Sequence, residues 1–237
     1  MKKLIAFLTL FAIAFNLVQE VSADEDHVNI ARLKYSGGGD WYVSPTSLPN
    51  LIAFSNEHLN TNIYPEEEVV EPDDPDIFNY PFVHMTGHGN VIFNEREREN
   101  LRNYLKSGGF LSVNDSYGMD EFVRPELKEL FPDEELVELP HSHPVYHQTF
   151  SFPEGVPKIH EHDGNPPQGF GIIYEGRLVV FYNYEADIGD GWEDEAVHGN
   201  PPELRRKALE MGANLIEYAF TGGQEQEWDE DEASEVE

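Results

Sequence analysis

Apolar and polar residues alternate along Val28-Asn29-Ile30-Ala31-Arg32-Leu33, the two-residue period of a strand, and Gly37-Gly38-Gly39 then opens a loop into Asp40-Trp41-Tyr42. From Ser47 to Leu59 the spacing of Leu48, Leu51, Ile52 and Leu59 changes to that of a helix face. A short strand at Glu68-Val69-Val70 and a turn at Pro72 and Pro75 lead to the apolar run Tyr80 to Met85, which stops at Thr86-Gly87-His88-Gly89. The clearest helix follows: Asn94 and Glu97 have the spacing of a capping box, Leu101, Tyr104 and Leu105 face inward, and Gly108-Gly109 ends it. Phe110 to Asn114 is a further strand that ends in Asp115-Ser116-Tyr117-Gly118, with a helix expected from about Glu121 to Leu130. Residues 140 to 169, rich in Pro, Gly and His, are expected to be loop. Ile172 to Tyr174 and Arg177 to Tyr182 flank Glu175-Gly176 as a hairpin, and a last helix starts at Pro201-Pro202 and carries Leu204, Ala208, Met211, Leu215 and Tyr218 on one face.

This succession of strands and helices requires right-handed crossovers and parallel pairing. The expected fold class is therefore α/β, a three-layer sandwich with a mostly parallel central sheet, in a single domain over residues 24–223. Ligands of such sheets bind outside the carboxyl ends of the strands. Three of the loops above leave such ends, at residues 36–42, 86–90 and 114–118.

The flanks are of a different kind. Lys2 and Lys3, the apolar stretch Leu4 to Val18 and the small residues Val21-Ser22-Ala23 have the form of a secretory signal peptide over residues 1–23, so the expected location is periplasmic or extracellular after cleavage near Ala23. That stretch, about 15 residues, is shorter than a membrane-spanning helix needs. Residues 224–237 carry eight acids and no base and are expected to form a disordered acidic tail.

Charge narrows the partners. Asp and Glu number 46 against 15 Lys and Arg, a net charge of −31, which excludes nucleic acid and anionic membranes because phosphate recognition relies on clustered cations. The carboxylates are scattered rather than arranged as a calcium loop, a distribution that suits a surface bathed in salt. The chain has no cysteine, so disulfides, thiolate nucleophiles and thiol-bound metals are absent.

Candidate chemistry concentrates at the expected strand ends. Asp115 and Ser116 lie where a strand turns into a helix, a place that exposes a catalytic side chain but equally selects capping residues. His88, flanked by glycines, is the preferred functional histidine. Gly38, Gly39 and Asp40 offer a backbone that approaches a ligand closely, and Trp41, Tyr42 and Trp192 are candidate stacking surfaces, with Asn114 beside them. His141, His143, His147, His160 and His162 crowd into 22 residues and are candidate ligands for a divalent metal. In an extended segment, His160 and His162 would point to opposite faces and could not share an ion. The run Asp187, Asp190, Glu193, Asp194 is expected to be a solvated acidic loop.

Several segments resemble a known family. Arg32-Leu33-Lys34-Tyr35 with Gly37 to Tyr42, Met85-Thr86-Gly87-His88-Gly89, Leu101 through Gly109, His143-Pro144-Val145-Tyr146-His147, Gly191-Trp192-Glu193 and Arg205 through Gly223 are similar to the bacterial domain-of-unknown-function family 4159. The resemblance implies a class I glutamine-amidotransferase-like, flavodoxin-like fold. It supplies no activity, and the nucleophilic Cys and partner His of amidotransferases are replaced here by Asn114-Asp115-Ser116 and by Phe181-Tyr182-Asn183-Tyr184. Two functions follow as expectations: a secreted binding module for a polar or carbohydrate-like ligand or a protein partner, or a hydrolase using Asp115 and His88, assisted by a metal on the histidine-rich loop. The salt-adapted surface itself makes a prediction. Thermal unfolding measured from low to molar sodium chloride should show a rising Tm, and a flat profile would remove that reading.

Overall fold

The computed structural model describes residues 27–222, so the expected signal peptide and the acidic tail lie outside the described residues. The strands are β1 (Ala31–Leu33), β2 (Glu68–Val70), β3 (Phe82–His88), β4 (Phe110–Tyr117), β5 (Leu136–Glu138), β6 (Gln168–Tyr174) and β7 (Arg177–Tyr184). They form one sheet in the order β2-β1-β3-β4-β7-β6-β5. Pairing is parallel from β2 through β7 and antiparallel on both sides of β6, so β6 alone runs against the rest. The helices are α1 (Ser47–His58), α2 (Glu95–Lys106), α3 (Asp120–Leu130), the short α4 (Ile188–Trp192) and α5 (Glu195–His198), and α6 (Pro202–Thr221).

The side-chain alternation of each strand builds two cores. Ile30, Phe82, Phe110 and Phe181 join α1, α4 and α6 on one face, while Leu33, Val83, Met85, Leu111 and Val113 join α2 and α3 on the other. The result is the expected α/β architecture of a mostly parallel sheet between helices. Among the described residues no helix is long and apolar enough to cross a membrane.

Local chemistry explains where elements begin. Asn94 accepts from the Glu97 N–H at 3.1 Å and Glu97 returns a carboxylate to the Asn94 N–H at 2.6 Å, closing the capping box of α2. Several short elements escaped the periodicity: β5, and α4 and α5, which occupy the stretch expected to be a solvated acidic loop. Three to five residues hold too little of either period to be recognised.

Trp192 is the largest correction. It is fully buried, donates its indole N–H to the Ala208 carbonyl at 2.8 Å, and lies against the His84 ring with centroids 4.9 Å apart. A ligand cannot stack on it. Truncating so large a ring leaves a cavity in a close-packed core. Trp192→Ala should therefore lower unfolding stability by roughly 3–5 kcal/mol in a denaturant titration, and a loss below about 1 kcal/mol would contradict the core assignment.

Candidate functional site

The strand order reverses between β1 and β3: the chain leaves β1 toward β2 and returns on the other side, the place where ligands of such sheets bind, and here the loops after β1 and β3 are joined by pairing of Ser36 with Ile92 and by the Gly39 N–H on the Asn90 carbonyl. Asp40 from the first loop and His88 from the end of β3 meet there. The Asp40 carboxylate accepts the His88 backbone N–H at 2.6 Å and lies 3.0 Å from its Nδ1. Gly87 permits this approach because a Cβ at that position would collide with the Tyr35 hydroxyl. His88 is the register partner of Tyr117 across β3 and β4. The Tyr117 ring is half exposed, meets the His162 ring edge-on at 5.2 Å, and donates its hydroxyl to Asp163 at 3.2 Å. Its φ of 141° is a backbone conformation that L residues avoid, so strain is concentrated where the ring is presented. Asp40, His88, Tyr117 and Asp163 thus form a continuous polar row across the strand ends.

Beneath this row lies a buried network. Asn114 Nδ2 reaches Thr86 Oγ1 at 3.2 Å, Ser116 Oγ at 3.1 Å and Asp187 Oδ1 at 3.0 Å, and its Oδ1 accepts the Gly189 N–H. The Thr86 and Ser116 hydroxyls are 3.0 Å apart. Asn114 and Ser116 are therefore internal struts rather than ligand contacts. Asp115, also buried, accepts the Tyr117 and Met119 N–H groups at 3.0 and 2.9 Å, so the turn-closing role expected of Ser116 belongs to Asp115. Burial raises the Asp115 carboxyl above its ordinary range against the lowering effect of those two N–H groups. Its carboxylate is committed to the turn and that of Asp40 to His88, so the expected Asp115 and His88 pair is not assembled by hydrogen bonding.

The glycine loop and its aromatics are placed differently from one another. Gly39 donates its N–H to the Asn90 carbonyl at 2.9 Å, which leaves that group unavailable to an anion, whereas Gly38 has open space on its side-chain side. Trp41 is partly buried against the α2 face of the core, and Tyr42 is 65% exposed.

The histidine-rich segment divides in two. His143 is buried against Tyr218, whose hydroxyl accepts the Leu178 N–H at the start of β7, and His147 Nε2 contacts the His141 carbonyl at 2.8 Å. These three histidines lie toward the amino ends of the strands. His160 and His162 lie at the carboxyl ends, and the bends between residues 160 and 164 bring both rings to one oxygen: His160 Nδ1 and His162 Nε2 are each 3.3 Å from Asp187 Oδ2. The expectation that they diverge required an extended segment, which the chain does not form there.

Three carboxylates that the sequence suggested were solvated complete this end. Asp187, Asp190 and Glu193, spaced three apart around α4, each use one oxygen on a neutral donor and turn the other toward imidazole. Asn114 holds Asp187, Ser44 donates to Asp190 Oδ1 at 3.0 Å, and Thr46 donates to Glu193 Oε1 at 3.3 Å. Asp190 Oδ2 is 3.2 Å from His160 Nδ1 and 3.4 Å from His198 Nε2, and Glu193 Oε2 is 2.7 Å from His198 Nε2. Asp187 and Glu193 are buried, and Asp187 has φ 52° in the left-handed region. Burial would raise the Asp187 carboxyl, but hydrogen bonds from His160, His162 and Asn114 outweigh it and hold it low, and the same carboxylates raise His160. His198 and the spacing of the three acids were the missed signals.

A family model described as Domain of unknown function (DUF4159) matches residues 29–220. The chain belongs to the DUF4159 family. A comparison with curated proteins found no match. The matched span of the DUF4159 domain contains every residue of the polar row, the buried network and the imidazole and carboxylate cluster.

One histidine of the DUF4159 domain has a titration consequence. The His143 ring accepts the Val145 N–H at Nδ1 over 3.2 Å, and burial lowers its pKa from 6.5 to about 4. The unfolded chain therefore binds a proton between those values that the folded chain refuses, so stability falls as pH drops from 6.5 toward 4. The loss is on the order of 3 kcal/mol for this group. Denaturation midpoints between pH 7 and 4 should fall less steeply in His143→Gln, and an unchanged slope would remove His143 as a source.

Proposed function

We propose that the chain acts outside the cytoplasm as a binding domain of the class I glutamine-amidotransferase-like type, taking a polar, hydroxyl-rich ligand of carbohydrate-like chemistry at the strand carboxyl ends. The observation that carries the reading is the row Asp40, His88, Tyr117 and Asp163 along the strand carboxyl ends where the strand order reverses. It combines acceptors that suit ligand hydroxyls with a half-exposed aromatic ring that suits the apolar face of a sugar. The exposed ring of Tyr42, on the loop after β1, adds aromatic surface of the same kind. The leader-like segment supports the location, and the scattered acidic surface is attributed to salt rather than to a cationic partner.

The two glutaminase groups have no counterparts here, and the carboxylate and imidazole first considered for hydrolysis are engaged in a turn and in the Asp40 pair. A hydrolase reading passes instead to the imidazole and carboxylate cluster beside α4. Isothermal titration with a panel of neutral oligosaccharides tests the binding reading. Tyr117→Gly removes the ring while relaxing a left-handed backbone, so at least tenfold weaker binding is expected with an unchanged or higher Tm. Failure of the native chain to bind any member of the panel, or equal binding by the variant, would overturn it.

A further inference from the structure

The cluster around α4 contains more than ion pairing between histidines and acids requires. His160 and His198 present ring nitrogens to the same oxygen, Asp190 Oδ2, at 3.2 and 3.4 Å, and the three atoms all lie within 4.8 Å of one another. The two rings are tilted with centroids 5.0 Å apart. Ligand atoms of the types that hold a divalent transition metal are thus gathered at one point.

The two separations from Asp190 Oδ2 have the right size. Ligand atoms about 2.1 Å from a tetrahedral ion are about 3.4 Å from each other. The two distances to Asp190 Oδ2 are close to that edge. The surrounding contacts also turn the needed atoms toward one another. His160 Nε2 donates to Asn200 Oδ1 at 3.1 Å, so the ring offers Nδ1 to an ion once that nitrogen gives up its proton, and Ser44 occupies Asp190 Oδ1 so that Oδ2 faces the histidines. Such outer contacts orient metal ligands. All three residues are only partly buried, which gives an ion a path from solvent.

We infer that His160 Nδ1, His198 Nε2 and Asp190 Oδ2 form a site for a divalent transition-metal cation of the zinc type. Two imidazoles with one carboxylate favour such an ion over calcium or magnesium, which take oxygen ligands. Glu193, 2.7 Å from His198 Nε2, turns aside when the ion enters, and Asp187 remains on the His162 side, 3.3 Å from His160. Three protein ligands leave at least one position for water or for an oxygen of a bound molecule. The histidines that serve are thus one from the crowded segment, His160, and one remote from it, His198, while His141, His143 and His147 take no part.

The full chain, purified without a His tag and stripped with chelator, is titrated with Zn2+ and separately with Co2+, which reports coordination through its visible absorption. One equivalent of Zn2+ retained after desalting is expected. His198→Ala and Asp190→Asn should lower affinity at least a hundredfold, Asn200→Ala about 10- to 100-fold, and His147→Ala not at all. Circular dichroism of each variant checks that the fold is intact, and the partly exposed Asn200 position keeps the test open if a ligand variant unfolds. Substoichiometric binding by the native chain, affinity retained in His198→Ala, or loss in His147→Ala would each overturn the site. No saccharide enters this titration, so its failure is separate from failure of the oligosaccharide panel.

Discussion

Arg32 is the cation on which the carboxyl end of the sheet is organised. Its guanidinium is buried at the centre of β1, paired with Glu67 at 3.0 Å, and donates to the Val43 and Ser44 carbonyls at 2.6 and 3.0 Å. A buried charge is costly unless every donor finds an acceptor, and here the acceptors are the backbone of the loop after β1. Ser44 is held with φ 58°, and Ser47 starts α1. The same short loop supplies Ser44 to Asp190 and Thr46 to Glu193. The positions of two acids 146 and 147 residues away thus depend on one guanidinium through the loop that it fixes.

A second dependency runs through neutral groups. Asn114 connects the end of β3, the end of β4 and the start of α4 with a single amide, so the two parallel strands and the segment after β7 share one buried junction. An amide serves where a carboxylate would not, because it offers both donors and an acceptor and carries no charge into the interior. Chemistry at the surface of this end, the Asp40 and His88 pair and the strained Tyr117, rests on that junction.

Much of this was legible in the sequence because long, periodic elements report themselves. The capping box of α2, the hairpin at Glu175-Gly176, the face of α6 and the glycine-ended strands follow from sustained periodicity or from turn and cap residues that bound it. The site was legible in place but not in composition. Asp115, Ser116 and Asn114 were visible as strand-end residues, yet whether such side chains point at a ligand or at their own backbone is decided by a turn of a few residues. Trp192 misled for a related reason: in an acidic stretch of chain it suggests an exposed surface, whereas α4, five residues long, turns it inward while its acids point to the histidines. His198 lies 36 residues beyond His162, and no local pattern joins them.

The reversal of β6 has one further consequence. A parallel strand delivers a single loop to the carboxyl end of its sheet, because its preceding segment lies at the opposite end. In the β6 and β7 hairpin, the segment entering β6 and the segment leaving β7 emerge side by side. One carries His160 and His162, the other Asp187, Asp190, Glu193 and His198. Two neighbouring strands therefore furnish both halves of the imidazole and carboxylate cluster without a crossover between them, and the density of polar groups at this end of the molecule is a product of strand direction.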